Sequence, residues 1–231
     1  VRLFDLSAPE KERMNDMSQI EEMGAFFDRR VDGYEEHMRS ILDIDGFYGA
    51  VAGALPQSDE PLRILDLGCG TGLELSFLFG RLPQARVTGI DLSGAMLDQL
   101  RDTYRDRMGQ ITLIRDNYAA CPLGESYYDH AVSVQSLHHF PPEEKTAVYR
   151  NIARALRPGG AYAEGDFVVT AAEEKEYLNA YRAAHTDGGL YHLDIPLTVE
   201  RQIELFKAAG FCGVDLLYHA DAAAVFRAAK G

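Results

Sequence analysis

The chain has 231 residues, 46 % of them hydrophobic, and a formal net charge of −13 at pH 7; this suits one core-forming domain with or without an added cap. A surface this acidic repels a phosphate backbone, so nucleic acid is a poor default partner. The three cysteines, Cys69, Cys121 and Cys212, form no C-x-x-C pair, which speaks against a zinc knuckle or a redox dithiol.

The opening run VRLFDLSAPEKERMNDM has no apolar stretch like a signal peptide. No segment approaches the roughly 20 apolar residues of a membrane span. With free thiols suited to a reducing compartment, these features predict a cytoplasmic protein with no membrane partner. Residues 1–60 read as an N-terminal helical cap. Ile20, Met23, Phe26 and Phe27 recur at helical spacing, as do Met38, Ile41 and Leu42, and Gly33 separates two helices. The proline-bounded PQSDEP (56–61) leads into a second unit, 61–231.

From residue 62 strands and helices alternate. LRILDLG (62–68) is a strand and GLELSFLFGRL (72–82) a helix. ARVTGIDLS (85–93) is a strand whose Ser93 is placed to cap the helix 94–108. QITLIRDN (110–117) and YDHAVSVQSL (128–137) are strands, and the helix 142–160 is stopped by Pro158 and Gly159. AYAEGDFVV (161–169) is the fifth strand, followed by helices at 171–184 and 198–210. Segment 171–197, with the irregular run HTDGGLYHLDIPL (185–197), reads as a late insertion. FCGVDLLYH (211–219) and AAAVFRAAK (222–230) are too close for a crossover helix, so they form an antiparallel hairpin. The pattern predicts an α/β fold, doubly wound, with a mostly parallel seven-stranded sheet covered on both faces.

The first strand runs into LDLGCGTGLE (65–74), where an open α/β sheet binds a nucleotide-like ligand. The glycine spacing, G-x-G-x-G, differs from the G-x-G-x-x-G of dinucleotide binders, and Asp66 would repel a phosphate. Asp91, at the end of the second strand, stands where an acid accepts both hydroxyls of a ribose. Asp116 and Asn117, ending the third, are placed for the amine and ring nitrogen of an adenine. Together they describe an adenosine with a cationic head and no phosphate, which is the makeup of S-adenosylmethionine.

ILDLGCGTGLE, GIDLSGAML, RDNYAACPL, YDHAVSVQSLHHF and LRPGG, in this order over residues 62–168, resemble the signatures of the class I S-adenosylmethionine-dependent methyltransferases. The resemblance implies a Rossmann-like fold with a reversed last strand. It places Gly68, Cys69 and Gly70 along the methionine portion of the cofactor, Asp91 on the ribose, and Leu92 and Met96 beside the adenine. Val134 and Gln135 would floor the sulfonium, and Tyr34 would be the cap residue nearest the cofactor.

In-line methyl transfer needs mainly alignment, with a general base only for an acceptor that holds its proton. His138 and His139 are the candidates for that base. His185, Tyr191 and His192 are the late-insertion candidates for an acceptor pocket. No metal is expected, because adjacent histidines diverge and no third ligand stands at a readable spacing. The leading expectation is a methyltransferase acting on a small-molecule acceptor, its oligomeric state left open, a homodimer included. The alternatives are a carboxy-S-adenosylmethionine synthase of the kind used in tRNA modification and a non-catalytic S-adenosylmethionine-binding protein. The former generally uses an Arg in the late insertion, and no Lys or Arg occurs between Arg182 and Arg201.

Overall fold

The computed structural model describes residues 21–184 and 189–231. Three helices come first, α1 (Met23–Asp28), α2 (Tyr34–Ile41) and α3 (Ile44–Gly53). Then follow β1 (Arg63–Leu67), α4 (Leu75–Arg81), β2 (Arg86–Asp91), α5 (Gly94–Thr103), β3 (Ile111–Arg115) and β4 (Tyr128–Val134). The chain continues through α6 (Pro142–Ala155), β5 (Leu156–Phe167), α7 (Ala171–Ala183) and α8 (Val199–Ala208) to the hairpin β6 (Gly213–Ala220) and β7 (Ala223–Ala229).

The seven strands form one sheet in the order β3-β2-β1-β4-β5-β7-β6. Strands β1 to β5 run parallel to one another, and β7 is antiparallel to both β5 and β6. This is the doubly wound sheet with a terminal hairpin that the sequence pattern predicts, and the reversed last strand that the resemblance implies. Strand alternation feeds two cores. Ile64, Val132, Val134 and Ala163 face α3, α4 and α5, whereas Leu65, Leu67, Ala131 and Tyr162 face α6 and α8.

Two local outcomes differ from the sequence reading. Helix α6 ends at Ala155, five residues short of the predicted span 142–160, and Leu156, the first residue of β5, already pairs with Tyr128 of β4. Pro158 drives Arg157 out of helical conformation, and Leu156 is fully buried. A Cβ on Gly160 would stand 2.7 Å from Asp129 O, so this strand entry tolerates only glycine without a shift. The second difference is α3. Phe47 and Val51 are completely buried, and a Cβ on Gly165 of β5 would meet Val51 Cγ2 at 2.7 Å. Helix α3 is a layer of the main core, while α1 and α2 lie over the carboxyl ends of the strands.

Ser93 does cap α5, accepting from the Met96 N–H at 3.1 Å, and its hydroxyl donates to Asp28 at 2.6 Å. Asp28 thereby ties α1 to α5. On its other side α1 meets the late insertion: Met23 N donates to Leu190 O at 3.0 Å and His192 N to Glu21 O at 2.9 Å. No helix among the described residues is long and apolar enough to cross a membrane.

Candidate active site

Three glycines shape the loop after β1. Gly68, Gly70 and Gly72 have φ of +70°, +48° and +80°, a conformation costing a side-chain-bearing residue about 1–2 kcal/mol. A Cβ on Gly68 would also stand 1.9 Å from Ser136 Oγ, so the loop is pressed against the end of β4. Asp91 ties the loop to β2: its carboxylate accepts from Gly70 N–H at 2.9 Å and Ser93 N–H at 2.8 Å. Each oxygen keeps a lone pair for a further donor. Burial raises the Asp91 pKa above the ordinary carboxylate value, against the pull of the Ser93 and Gly70 N–H groups.

Above the loop is a narrow cleft of about 40 Å³, roofed by Met23, Phe27 and Tyr34 of the cap. Of the expected cofactor residues, Tyr34, Gly68, Gly70, Asp91, Leu92, Met96 and Gln135 line it. Asp116 and Asn117 line an adjoining groove that shares Leu92 with the cleft. There the Asn117 N–H, expected to face an adenine nitrogen, donates instead to Asp116 Oδ1 at 2.7 Å. Cys69 and Val134 are buried in the core and line neither space. Sequence reasoning missed Tyr118 and Ser136, which line the cleft and bond to each other at 2.7 Å. Tyr118 directly follows the Asp116–Asn117 pair, and that adjacency was the available signal.

Asp66 also departs from its expected place. It is fully buried and lines neither the cleft nor the groove. Its neighbour is Glu74 at the mouth of α4, itself 5 % exposed. Neither Asp66 oxygen nor Glu74 Oε1 has a hydrogen-bond partner among the described residues. Burial pushes Asp66 up to about 7. Burial, and then the Asp66 charge, hold Glu74 well above the carboxylate range. Two buried carboxyl groups without a cation beside them are stable together only while protons neutralise them.

A second, larger cavity of about 470 Å³ adjoins the cleft. Phe26, Met38, Ile41 and Phe167 give it apolar walls, and Arg29 and Arg30 stand at its lip, both paired with Glu21. The two spaces share Phe27, Tyr34, Gln135 and His139. Gln135 has φ +53° at the end of β4, and both polar atoms of its buried amide lack a partner among the described residues.

His138, His139 and His192 gather at this cavity around Asp194. His138 Nδ1 bonds Asp166 Oδ1 at 2.6 Å, and its Nε2 faces Asp194 Oδ1 at 3.7 Å. His139 Nδ1 stands 3.2 Å from Leu193 O and 3.3 Å from Asp194 Oδ1. His192 Nε2 is 3.9 Å from the same oxygen, its ring stacked on Phe26 at 3.5 Å. Asp166 is backed by buried Lys145, whose Nζ lies 3.7 Å from it and 3.1 Å from Glu164. Burial lowers His138, but the Asp166 and Asp194 carboxylates outweigh it and hold the imidazole above its ordinary value. Burial and the neighbouring His138 charge lower His139, and burial brings His192 to about 4. Asp166 and Asp194 were invisible to sequence reasoning, since they lie 28 and 56 residues from His138. Of the acceptor candidates, Tyr191 lines a different small cavity, beside Glu144 and Tyr181. His185 lies outside the described residues.

Residues 64–160 match the family model described as a methyltransferase domain. Over this stretch the chain is similar to S-adenosylmethionine-dependent methyltransferases. It is 30 % identical over 142 residues to 27-O-demethylrifamycin SV methyltransferase of Amycolatopsis mediterranei, covering 61 % of this chain and 51 % of that protein. It is 31 % identical over 111 residues to O-methyltransferase rstn1 of Aspergillus nomiae, covering 47 % and 48 %. The chain thus spans about half the length of the curated relatives it matches. Among solved structures, the 1,6-didemethyltoxoflavin-N1-methyltransferase of Burkholderia thailandensis superposes with a TM-score of 0.64 at 21 % identity, covering 89 % of this chain and 87 % of that one.

The matched stretch carries the glycine loop, Asp91, Gln135, His138 and His139. Tyr34, Asp166, His192 and Asp194 lie outside it, so the larger cavity is walled mostly by residues outside the matched stretch. The cleft of about 40 Å³ is far smaller than the roughly 300 Å³ or more of a ligand pocket. The cap over it must open for a nucleoside to enter. Hydrogen exchange in residues 23–41 is expected to slow when S-adenosylhomocysteine is added, while α3, a core helix, stays protected throughout. Equal protection of 23–41 in both states would make that segment a fixed layer.

Proposed function

We propose that this chain transfers a methyl group from S-adenosylmethionine to an oxygen of a small-molecule acceptor. The observation that carries the reading is the junction at Phe27, Tyr34, Gln135 and His139 of a cleft on the glycine loop with a separate, larger cavity. A cofactor on the loop and an acceptor in the cavity would meet there. The two O-methyltransferase relatives support oxygen as the acceptor atom.

In this reading Asp91 accepts the ribose hydroxyls and Leu92 and Met96 flank the adenine. The unpartnered Gln135 amide and Tyr34 hold the methionine end. His139, the imidazole that lines both spaces, stands nearest the point of transfer, with His138 behind it on Asp166. The protein's contribution is alignment, which is worth on the order of 7–11 kcal/mol, and closure of the cap against water.

Calorimetry with S-adenosylmethionine, S-adenosylhomocysteine and NAD tests the cofactor, and transfer of a labelled methyl group into a pool of hydroxylated metabolites tests the reaction. Binding of both sulfur ligands without NAD is expected; NAD binding alone would overturn the reading. His139→Gln is expected to lower turnover on the acceptor found by about 10²–10⁴-fold, with cofactor affinity changed only a few-fold.

One observation favours a second reading, a carboxy-S-adenosylmethionine synthase. It needs a cation for its extra carboxylate, and Arg29 and Arg30 reach the larger cavity from α1. Both already share Glu21. The intact mass of a co-purified nucleoside separates the two readings.

A further inference from the structure

His138, His139 and Asp194 each offer a ligand atom, all within 4.8 Å of one another. From this juxtaposition we propose that they hold a first-row divalent transition-metal ion at the wall of the larger cavity. The ion would draw in an acceptor that chelates through two oxygens, such as a vicinal diol of an aromatic ring or a hydroxy-ketone. The acceptor class rests on the methyltransferase reading; the metal site does not.

Three imidazoles approach one carboxylate oxygen. Nε2 of His138, Nδ1 of His139 and Nε2 of His192 stand 3.7, 3.3 and 3.9 Å from Asp194 Oδ1. Metal–ligand bonds of about 2.0–2.1 Å place neighbouring ligand atoms about 3–3.4 Å apart, so small rotations suffice to seat an ion. No Lys or Arg is among the ion-pair partners of Asp194 within the described residues. The imidazoles are also built for the role. Asp166 takes His138 Nδ1 at 2.6 Å, which leaves Nε2 as the free nitrogen and fixes the ring, as carboxylates behind metal-bound histidines do. Lys145 anchors Asp166 from behind at 3.7 Å. His139 Nδ1 now faces the Leu193 carbonyl; binding through that atom moves its proton to Nε2.

The donor set selects the ion class. Two imidazoles and one carboxylate suit zinc, cobalt, nickel or iron(II), and magnesium prefers oxygen alone. Three protein ligands leave positions open for substrate oxygens. Those positions give onto the cavity that shares Gln135 and His139 with the cofactor cleft. A coordinated hydroxyl loses its proton more readily, and two oxygens on one ion orient the nucleophile.

The test uses untagged full-length protein freed of metal by chelation, titrated with cobalt(II) by visible absorption and with zinc by calorimetry. One ion per chain is expected. Asp194→Asn and His138→Gln should each weaken cobalt binding at least tenfold, and Asp166→Asn should weaken it about 10–100-fold. His219→Gln, on the edge strand β6, should leave it unchanged. Retained S-adenosylhomocysteine binding certifies that each variant is folded. Failure of the folded wild type to bind cobalt or zinc, or binding indifferent to Asp194→Asn and His138→Gln, overturns the metal site and leaves the methyltransferase reading intact. Metal binding without any response to S-adenosylhomocysteine leaves the metal site and overturns the methyltransferase reading.

Discussion

Asp91→Ala is expected to weaken S-adenosylhomocysteine binding at least tenfold while the protein stays folded. In the proposed complex the carboxylate accepts two ribose hydroxyls, and hydrogen bonds to a charged group contribute about 1.5–3 kcal/mol each. A decade of affinity is about 1.4 kcal/mol, so loss of even one bond is visible by calorimetry. The same carboxylate holds the Gly70 and Ser93 N–H groups, so the loop loses an anchor as well. Asp91→Asn is the informative companion: it keeps an acceptor oxygen and should fall between wild type and Ala. An unchanged dissociation constant in a folded Asp91→Ala protein would reduce Asp91 to a turn residue.

The second large effect is a pH dependence of stability in the cofactor-free protein. Asp66 titrates at about 7 when folded, against an ordinary value of 3.8, and Glu74 is also raised. Between those values the folded state binds more protons than the unfolded one. The stabilisation is therefore complete below the unfolded value and is lost as pH rises through about 7. Each unit of displacement corresponds to about 1.4 kcal/mol, and each kcal/mol to about 2–4 °C in a chain of this size. The melting temperature should fall by several degrees from pH 5 to pH 8. Asp66→Asn, neutral at every pH, should flatten this profile and melt higher than wild type at pH 8. A wild-type profile that is flat, or that rises over this window, would show that a cation neutralises the pair.

Much of the fold was legible because its signals are local. Short apolar runs mark β1 to β5, Ser93 announces α5, and the two-residue gap before β7 forces a hairpin. The glycine loop was legible for the same reason, since left-handed turns favour glycine whatever surrounds them. The end of α6 was less so. Pro158 was recognised as a stop, but its reach back to Leu156 depended on β4 offering Tyr128 as a partner.

Side-chain direction was harder to read. Asp66 was expected at the ligand, yet it is fully buried and its effect falls on Glu74. Cys69 and Val134 likewise sit one residue away from positions that line the cleft, because neighbouring residues in a strand or tight loop face opposite ways.

By itself the sequence determined an alternating α/β chain with a glycine loop at the end of its first strand, an acid at the end of its second, and adjacent histidines after its fourth. Those features are set by periodicity and by backbone preferences of single residues, and both act within a few positions. Only the tertiary structure decided that α3 belongs to the core, that the cap pairs with the late insertion, and that Asp166 and Asp194 close on His138 and His139. Such meetings depend on parallel strands being aligned side by side. That alignment carries side chains far apart in the chain to one end of the sheet, and no spacing along the sequence encodes it.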